Sequence, residues 1–134
     1  MEFRNYAAGD LVELIKDATL RLIVSDKHID SKFAWTLYDK RIIACGGFIP
    51  MWPGVFEAWL CVDTYEDFLS YKICLIKKFR KEIDNLDYHR LQAAVDICTV
   101  NHHKFMNLLG FHCEGIMQKY GVDKQDHLMY AKVK

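Results

Sequence analysis

Three side chains that can bind a metal ion lie close together in the second half of the sequence. Cys98 is followed by His102 and His103, and thiolate and imidazole are ligands that Zn²⁺ prefers in proteins. A zinc site also needs three or four convergent ligands in a recognisable spacing, and the chain contains no Cys-x-x-Cys pair. We therefore predict no metal. We interpret the remaining histidines as surface or packing residues: His28, His89, His112 and His127.

A basic segment, Lys-Lys-Phe-Arg-Lys at 77–81, contains the chemistry that binds phosphate groups. The alternative is that these residues form the solvated face of an amphipathic helix. The whole chain has 18 basic and 18 acidic residues, and nucleic-acid or membrane-surface partners favour a strong basic excess. We expect neither of these partners. No apolar run approaches the roughly 18 residues that cross a bilayer.

The five cysteines are odd in number, well separated and mostly set in apolar runs: Cys45, Cys61, Cys74, Cys98 and Cys113. This pattern favours reduced, buried thiols over a disulfide framework. The N-terminus has no apolar segment of the kind found in signal peptides. We therefore expect a cytoplasmic protein, or one in a particle that is assembled in the cytoplasm.

The elements that must position any site belong to one predicted domain, residues 1–134. The length and an apolar content of 51% are sufficient for one substantial core. Two prolines and seven scattered glycines leave no linker.

The first half of the chain predicts a strand, a helix and three strands. Asp10 and Glu13 resemble a capping box after a short strand at 2–6. The segment 19–32 is ambiguous between strand and loop. Strands are predicted at 33–38, 42–49 and 55–62, with turns between them. The helical stripe after the capping box consists of Leu11, Leu14, Ile15 and Ala18, and the ambiguous segment alternates at Leu20, Leu22 and Val24.

The second half contains the longest periodic segment, a helix followed by a buried strand at 91–98. A short helix at 101–109 ends at Gly110, and strands follow at 111–120 and 127–133. Because a strand, a long helix and a strand come in succession, the strands at 55–62 and 91–98 should pair in parallel. The stripe of the long helix is Leu69, Ile73, Ile76, Phe79, Ile83 and Leu86.

Two segments resemble the Gcn5-related N-acetyltransferase (GNAT) superfamily. The stretch Asn101-His-His-Lys-Phe-Met-Asn-Leu-Leu-Gly110-Phe111 looks like the late helix of that family, and 42–62 with Gly46-Gly47 resembles its third and fourth strands. The resemblance implies an α/β fold: a mainly antiparallel sheet of six or seven strands, a parallel fourth and fifth strand, and helices on both faces. Within the superfamily the chain resembles small acetyltransferase-like proteins of tailed phages, including internal virion proteins.

The resemblance implies a site for acetyl-CoA. Main-chain groups of Leu60, Cys61 and Val62 on the fourth strand would take up the pantetheine arm, with residues 96–98, including Cys98, on the other wall. Asn101 would hydrogen-bond the arm, or cap the last helix, and the two roles are compatible.

The family binds the pyrophosphate of the cofactor at the start of the long helix, through a glycine-rich loop. The corresponding stretch here, Asp63-Thr-Tyr-Glu-Asp-Phe-Leu-Ser-Tyr-Lys72, has no glycine and three carboxylates. These carboxylates stabilise a helix N-terminus and would repel a diphosphate.

The resemblance also implies a base and an acid. Glu57 is the candidate base, if it points between the two strands, and its alternative is a solvent-facing strand residue. The family's acidic tyrosine is replaced by Met106, which cannot donate a proton, and Cys98 or Tyr120 are the candidate substitutes.

Two functions follow from this pattern. The first is an acetyl-CoA-dependent N-acetyltransferase that acts on an amine acceptor. The second is a non-catalytic phage virion, assembly or host-interaction protein that uses the scaffold to bind a protein partner. The apolar turn Met51-Trp52-Pro53 is a candidate partner surface if exposed, and burial under the N-terminal helix is the alternative.

Overall fold

The computed structural model describes residues 1–14 and 29–134. A 3-10 turn at Ser31–Phe33 precedes the second strand. The elements are β1 (Glu2–Asn5), α1 (Asp10–Leu14), β2 (Ala34–Tyr38), β3 (Ile42–Trp52), β4 (Val55–Val62), α2 (Tyr65–Asp84), β5 (Arg90–Asp96), α3 (Val100–Leu108), β6 (His112–Met117) and β7 (His127–Val133). This order confirms the predicted succession of elements. The predicted stripe members Ile15 and Ala18, the alternation at 20–24 and His28 lie outside the described residues.

The described strands form a seven-stranded sheet in the order β1-β2-β3-β4-β5-β7-β6. The pairs β1–β2, β2–β3, β5–β7 and β6–β7 are antiparallel. β4 and β5 are parallel, with Val55–Glu57 in register with Arg90–Gln92. The predicted mixed, mainly antiparallel sheet is therefore confirmed. The physical reason is that α2 carries the chain back between β4 and β5, as a parallel connection requires.

The chain divides into two compact units. The first comprises Met1–Ile49 and Ala58–Ile73, and the second comprises Pro50–Glu57 and Cys74–Lys134. That residues 1–134 make a single domain stays a prediction. None of the described helices is long and apolar enough to cross a membrane.

In the first unit, a buried carboxylate organises the start of α1. Asp10 accepts hydrogen bonds from both guanidinium nitrogens of Arg4 (2.8 and 3.0 Å), from the Ala7 N–H (2.9 Å) and from the Thr36 hydroxyl (2.8 Å). The predicted capping box with Glu13 is wrong, because the Glu13 N–H donates to the Gly9 carbonyl instead. Asp10 thus links β1, α1 and β2 rather than capping a helix.

In the second unit, β5 alternates between core and surface. Leu91, Ala93 and Val95 are buried, and the residues between them are half-buried. The C-terminal part of α2 buries Phe79, whose ring meets that of Phe105 on α3 edge to face at 6.0 Å. This burial follows from the two periodicities, two for strands and 3.6 for helices.

The predicted apolar stripe of α2 is partly wrong. Leu69 and Ile73 are 46% and 67% exposed, whereas Phe68 and Leu75 are buried. The first half of the helix has apolar residues on two adjacent faces, so periodicity alone does not choose between them. Packing selects the face that begins at Phe68.

The end of α3 confirms the predicted role of Gly110. Its φ of 84° lies in the left-handed region, where glycine is favoured. Its N–H donates to the Asn107 carbonyl, and the Phe111 N–H donates to the Met106 carbonyl, both at 3.0 Å. This is the Schellman pattern that closes a helix.

The five cysteines are free thiols. Cys45 is buried and Cys61 and Cys74 are half-buried, but Cys98 and Cys113 are exposed. The expectation of buried thiols is wrong for these last two, which lie in a turn and on the edge strand β6.

Candidate functional site

Glu57 lies on β4 in the second unit, in register with Gln92 of the parallel strand β5. Its side chain is half-buried. Burial raises the pKa of this carboxyl above its ordinary value of 4.5, because the charged form loses hydration. A carboxylate with a raised pKa is a better proton acceptor near neutral pH than one in water.

Tyr120 feels the charge of Glu57 and contacts the ring of His127. The rings of Tyr120 and His127 meet edge to face with centroids 5.2 Å apart. The pKa of the Tyr120 phenol is raised mainly by burial and to a smaller extent by the charge of Glu57. Asp96 of β5 is in register with His127 of β7, and Gln92 lies on the same face as Asp96 because side chains alternate along a strand. Glu57 and His127 therefore project from one face of this part of the sheet.

Sequence reasoning named Tyr120 as a substitute acid and took His127 for a packing residue. The pairing of His127 with Asp96 depends on strand register, which the sequence does not contain. The available signal is the alternation of β7, which places His127, Met129 and Ala131 on one face.

The predicted cofactor-binding residues of β4 lie in the first unit. Leu60, Cys61 and Val62 are half-buried, and burial raises the pKa of the Cys61 thiol to about 11. That thiol is therefore protonated at neutral pH and does not serve as a nucleophile.

Cys98 and Asn101 lie in the second unit after β5. The predicted strand through Cys98 is wrong, because β5 ends at Asp96, whose carboxylate accepts the Cys98 N–H at 2.9 Å. The predicted capping role of Asn101 is also wrong. Thr99 occupies the N-cap position, and Asn101 is half-buried in the first turn of α3. The turn formed by Asp96 thus places Cys98 outside the strand and exposed.

The start of α2, in the first unit, is occupied by the protein's own polar groups. Thr64 caps the helix, since its hydroxyl accepts the Asp67 N–H at 3.1 Å. Arg41 bridges two carboxylates, reaching Asp63 at 2.9 Å and both oxygens of Asp67 at 2.9 and 3.0 Å. Glu66 adds a third carboxylate to this stretch, in the first turn of α2. That this helix N-terminus disfavours a diphosphate stays a prediction, for which the physical reasons are that like charges repel and that the cap already uses one N–H.

His102 and His103, the residues that raised the question of a metal, have other surroundings. The two ring nitrogens of His103 face the Tyr130 hydroxyl (2.9 Å) and the Ile97 carbonyl (3.2 Å). The pKa of His102 is lowered mainly by burial and to a smaller extent by the neighbouring His103. Residues 1–14 and 29–134 contain no group of three or more His, Cys, Asp or Glu side chains that could hold a metal ion.

The apolar turn after β3 is exposed, so the alternative of burial is wrong for this turn. Met51 and Trp52 are 41% and 61% exposed. Gly54 has a φ of 82°, and a side chain there would meet the ring of His89. Because Met51 and Trp52 are exposed, the turn is a candidate partner surface. Its backbone conformation at Gly54 is one that glycine favours.

No family model matches the chain, and no curated protein matches it. Solved structures do match over nearly the full length. A ribosomal-protein-alanine N-acetyltransferase from Brucella melitensis is 13% identical with a TM-score of 0.70, covering 100% of both chains. An N-acetyltransferase from Staphylococcus aureus Mu50 is 14% identical with a TM-score of 0.73, covering 98% of this chain and 97% of the other.

A third structure contains a cofactor. It is a Salmonella typhimurium protein assigned as an acetyltransferase, solved with its cofactor acetyl-CoA. It is 13% identical with a TM-score of 0.71, covering 99% of this chain and 93% of the other. At such identities these likenesses show the fold alone, which is the GNAT fold.

Proposed function

We propose that this protein is an acyl-CoA-dependent N-acyltransferase that transfers an acetyl group to an amine. The observation that carries the proposal is the half-buried carboxylate of Glu57, whose pKa burial raises. A likeness to N-acetyltransferases over the full length of the chain supports it. We place the protein in the cytoplasm, in keeping with its reduced thiols.

In this function, Glu57 takes the proton of the attacking amine, directly or through a water molecule. An acetyl thioester supplies the activated carbonyl carbon when bound. The amine nitrogen forms the new bond to that carbon, the bond from carbon to sulfur breaks, and the thiolate leaves with the electron pair. Met106 cannot protonate the thiolate, and the Tyr120 phenol is the candidate proton donor.

The cofactor contacts follow the family resemblance. The main-chain groups of Leu60, Cys61 and Val62 receive the pantetheine arm, and Cys98 and Asn101 are further contacts. Because the start of α2 is acidic, we infer that the diphosphate contributes little to binding.

A second function is favoured by two observations. The carboxylates of Asp63 and Asp67 at the start of α2 bind Arg41, and the turn at Trp52 exposes a large apolar side chain. These features suit a non-catalytic protein, such as a phage virion, assembly or host-interaction protein, that uses its surface to bind a protein partner.

Titration calorimetry with two donors tests the first function. We expect acetyl-CoA and S-acetylpantetheine to bind with dissociation constants within about threefold of each other, because the diphosphate finds no favourable site. Mass spectrometry of amines incubated with acetyl-CoA should then detect the acetylated product. Absence of binding by either donor at about 1 mM, together with absence of product, would leave the second function.

A further inference from the structure

The first half of α2 has an exposed apolar stripe made of Tyr65, Leu69 and Ile73. These residues are 54%, 46% and 67% exposed, and all three belong to the first unit. Residues four positions apart lie above one another on the same side of a helix. The three side chains therefore adjoin one another, and contiguous exposed apolar groups mark contact surfaces more often than isolated ones do.

Packing within the first unit uses other sides of this helix. Phe68 is 3% exposed and supplies the buried face of the first turns. Asp67, on another side, is held by Arg41. The exposed stripe lies between these two sides and contributes to neither contact. It is presented on a rigid element, because α2 is a continuous helix of 20 residues.

The charged residues beside the exposed stripe are opposite in sign at its two ends. Glu66 lies three positions before Leu69, and Lys72 lies three positions after it. At 3.6 residues per turn, they flank Leu69 on opposite sides. Glu66 is exposed and Lys72 is half-buried. The ion pairs of the described residues include neither side chain, so both can pair with a partner molecule.

A second copy of the same helix is complementary to this pattern. When two α2 helices pack antiparallel about a two-fold axis at Leu69, residues equally far before and after Leu69 face each other. Tyr65 then meets Ile73 of the second copy, and Glu66 meets Lys72 of the second copy. The symmetry forms each of these contacts twice. A parallel arrangement would bring residues of equal number to the same level and would form neither ion pair.

We propose that the exposed stripe is the contact surface for a second copy of this chain, in an antiparallel pair of α2 helices. The apolar side chains supply the attraction, and the two pairs of Glu66 with Lys72 set the direction and the register. One helix pair buries less than the roughly 1,600 Å² of a standard interface. The dimer is therefore weak and forms at high protein concentration. This inference does not depend on the proposed function.

Sedimentation equilibrium of the whole chain at low salt tests the association, from about 10 μM to about 1 mM protein. A thiol reductant prevents the exposed Cys98 and Cys113 from linking copies. We expect the mean mass to rise with concentration from one chain toward two. Leu69→Gln should weaken the association by about tenfold or more. Leu108→Gln, the same change at an exposed leucine of α3, is the matched control and should associate as the wild type does.

Charge reversal tests the antiparallel direction. Glu66→Lys and Lys72→Glu each place like charges opposite one another, and each variant alone should associate about fivefold or more weakly than the wild type. An equimolar mixture of the two variants brings opposite charges together at both positions, so it should associate as tightly as the wild type. Misfolding of a variant cannot produce this rescue.

Three outcomes would overturn the inference. The first is a monomer at every concentration, which would leave the exposed stripe to a different protein partner. The second is a mixture of Glu66→Lys and Lys72→Glu that associates no more tightly than either variant alone. The third is a Leu69→Gln protein that associates as the wild type does.

Discussion

Arg41 holds Asp67 through two hydrogen bonds of 2.9 and 3.0 Å at the first turn of α2. Arg41 immediately precedes β3, so the ion pair joins a strand to the start of the long helix within the first unit. Asp67 is buried, and Thr64 supplies the cap. The positive end of the helix dipole therefore already faces carboxylates of the protein itself. These carboxylates would weaken the binding of an anionic ligand at the same place.

Removing a negative charge from this helix N-terminus should improve acetyl-CoA binding. Glu66→Gln leaves the Arg41–Asp67 pair intact and takes away one exposed carboxylate of the first turn. We expect calorimetry to show a dissociation constant lower by about two- to fivefold at low salt. Asp84→Asn, at the other end of α2, is the control and should have no effect. Equal binding by Glu66→Gln and the wild type would show that the diphosphate lies elsewhere.

Glu57→Gln should lower acetyl transfer and raise stability. Loss of the proton acceptor should reduce kcat/KM by about tenfold or more. Because burial raises the pKa of Glu57, the folded state binds this proton more tightly than the unfolded state. The carboxylate therefore costs stability above its folded pKa, and the wild type gains stability as the pH falls through that value toward the ordinary pKa of 4.5.

Urea unfolding at pH 5 and pH 8 measures this effect. Glu57→Gln should be more stable than the wild type at pH 8, and the difference should shrink at pH 5. The control is Glu2→Gln on β1, an exposed carboxylate. A Glu57→Gln protein with full activity would remove Glu57 from the mechanism, whatever its stability.

Asp10→Ala should destabilise the first unit. Burial opposes the charge of Asp10, but hydrogen bonds from Arg4, Ala7 and Thr36 outweigh it and lower the pKa of the carboxyl. The variant leaves the Thr36 hydroxyl and the Ala7 N–H unsatisfied, and Arg4 is partly exposed. We therefore expect a loss of about 2–4 kcal/mol in the free energy of unfolding.

The pH dependence of Asp10 has the opposite sign to that of Glu57. Its stabilisation is complete above the unfolded pKa of about 3.9 and is lost as the pH falls through the lowered folded pKa. The difference between wild type and Asp10→Asn should accordingly shrink below about pH 4. Glu13→Gln, exposed on the same helix, should behave as the wild type throughout.

Two of the five thiols should react rapidly with a disulfide reagent in the folded protein. Cys98 and Cys113 are exposed. Burial raises the pKa of Cys45 to about 12 and that of Cys61 to about 11, which suppresses the reactive thiolate. Thiol titration with and without denaturant, followed by peptide mapping, measures this. Rapid modification of Cys45 would contradict the burial of β3.

The sequence alone determined the succession of elements and the parallel pairing of β4 with β5. Periods of two and 3.6 residues are local properties, and a strand, helix and strand in succession admit few topologies. It also determined the end of α3 at Gly110 and the acidic start of α2, because a glycine and a carboxylate act there through the adjacent backbone.

Tertiary structure decided which residues share a neighbourhood. The buried face of α2 begins at Phe68 rather than Leu69, because two apolar stripes overlap and packing selects one. Asp10 is bound by Thr36, which is 26 positions away, instead of closing a local capping box. The pairing of Asp96 with His127 depends on the register between β5 and β7. Each of these contacts joins residues distant along the chain, and a sequence records their order but not their pairing.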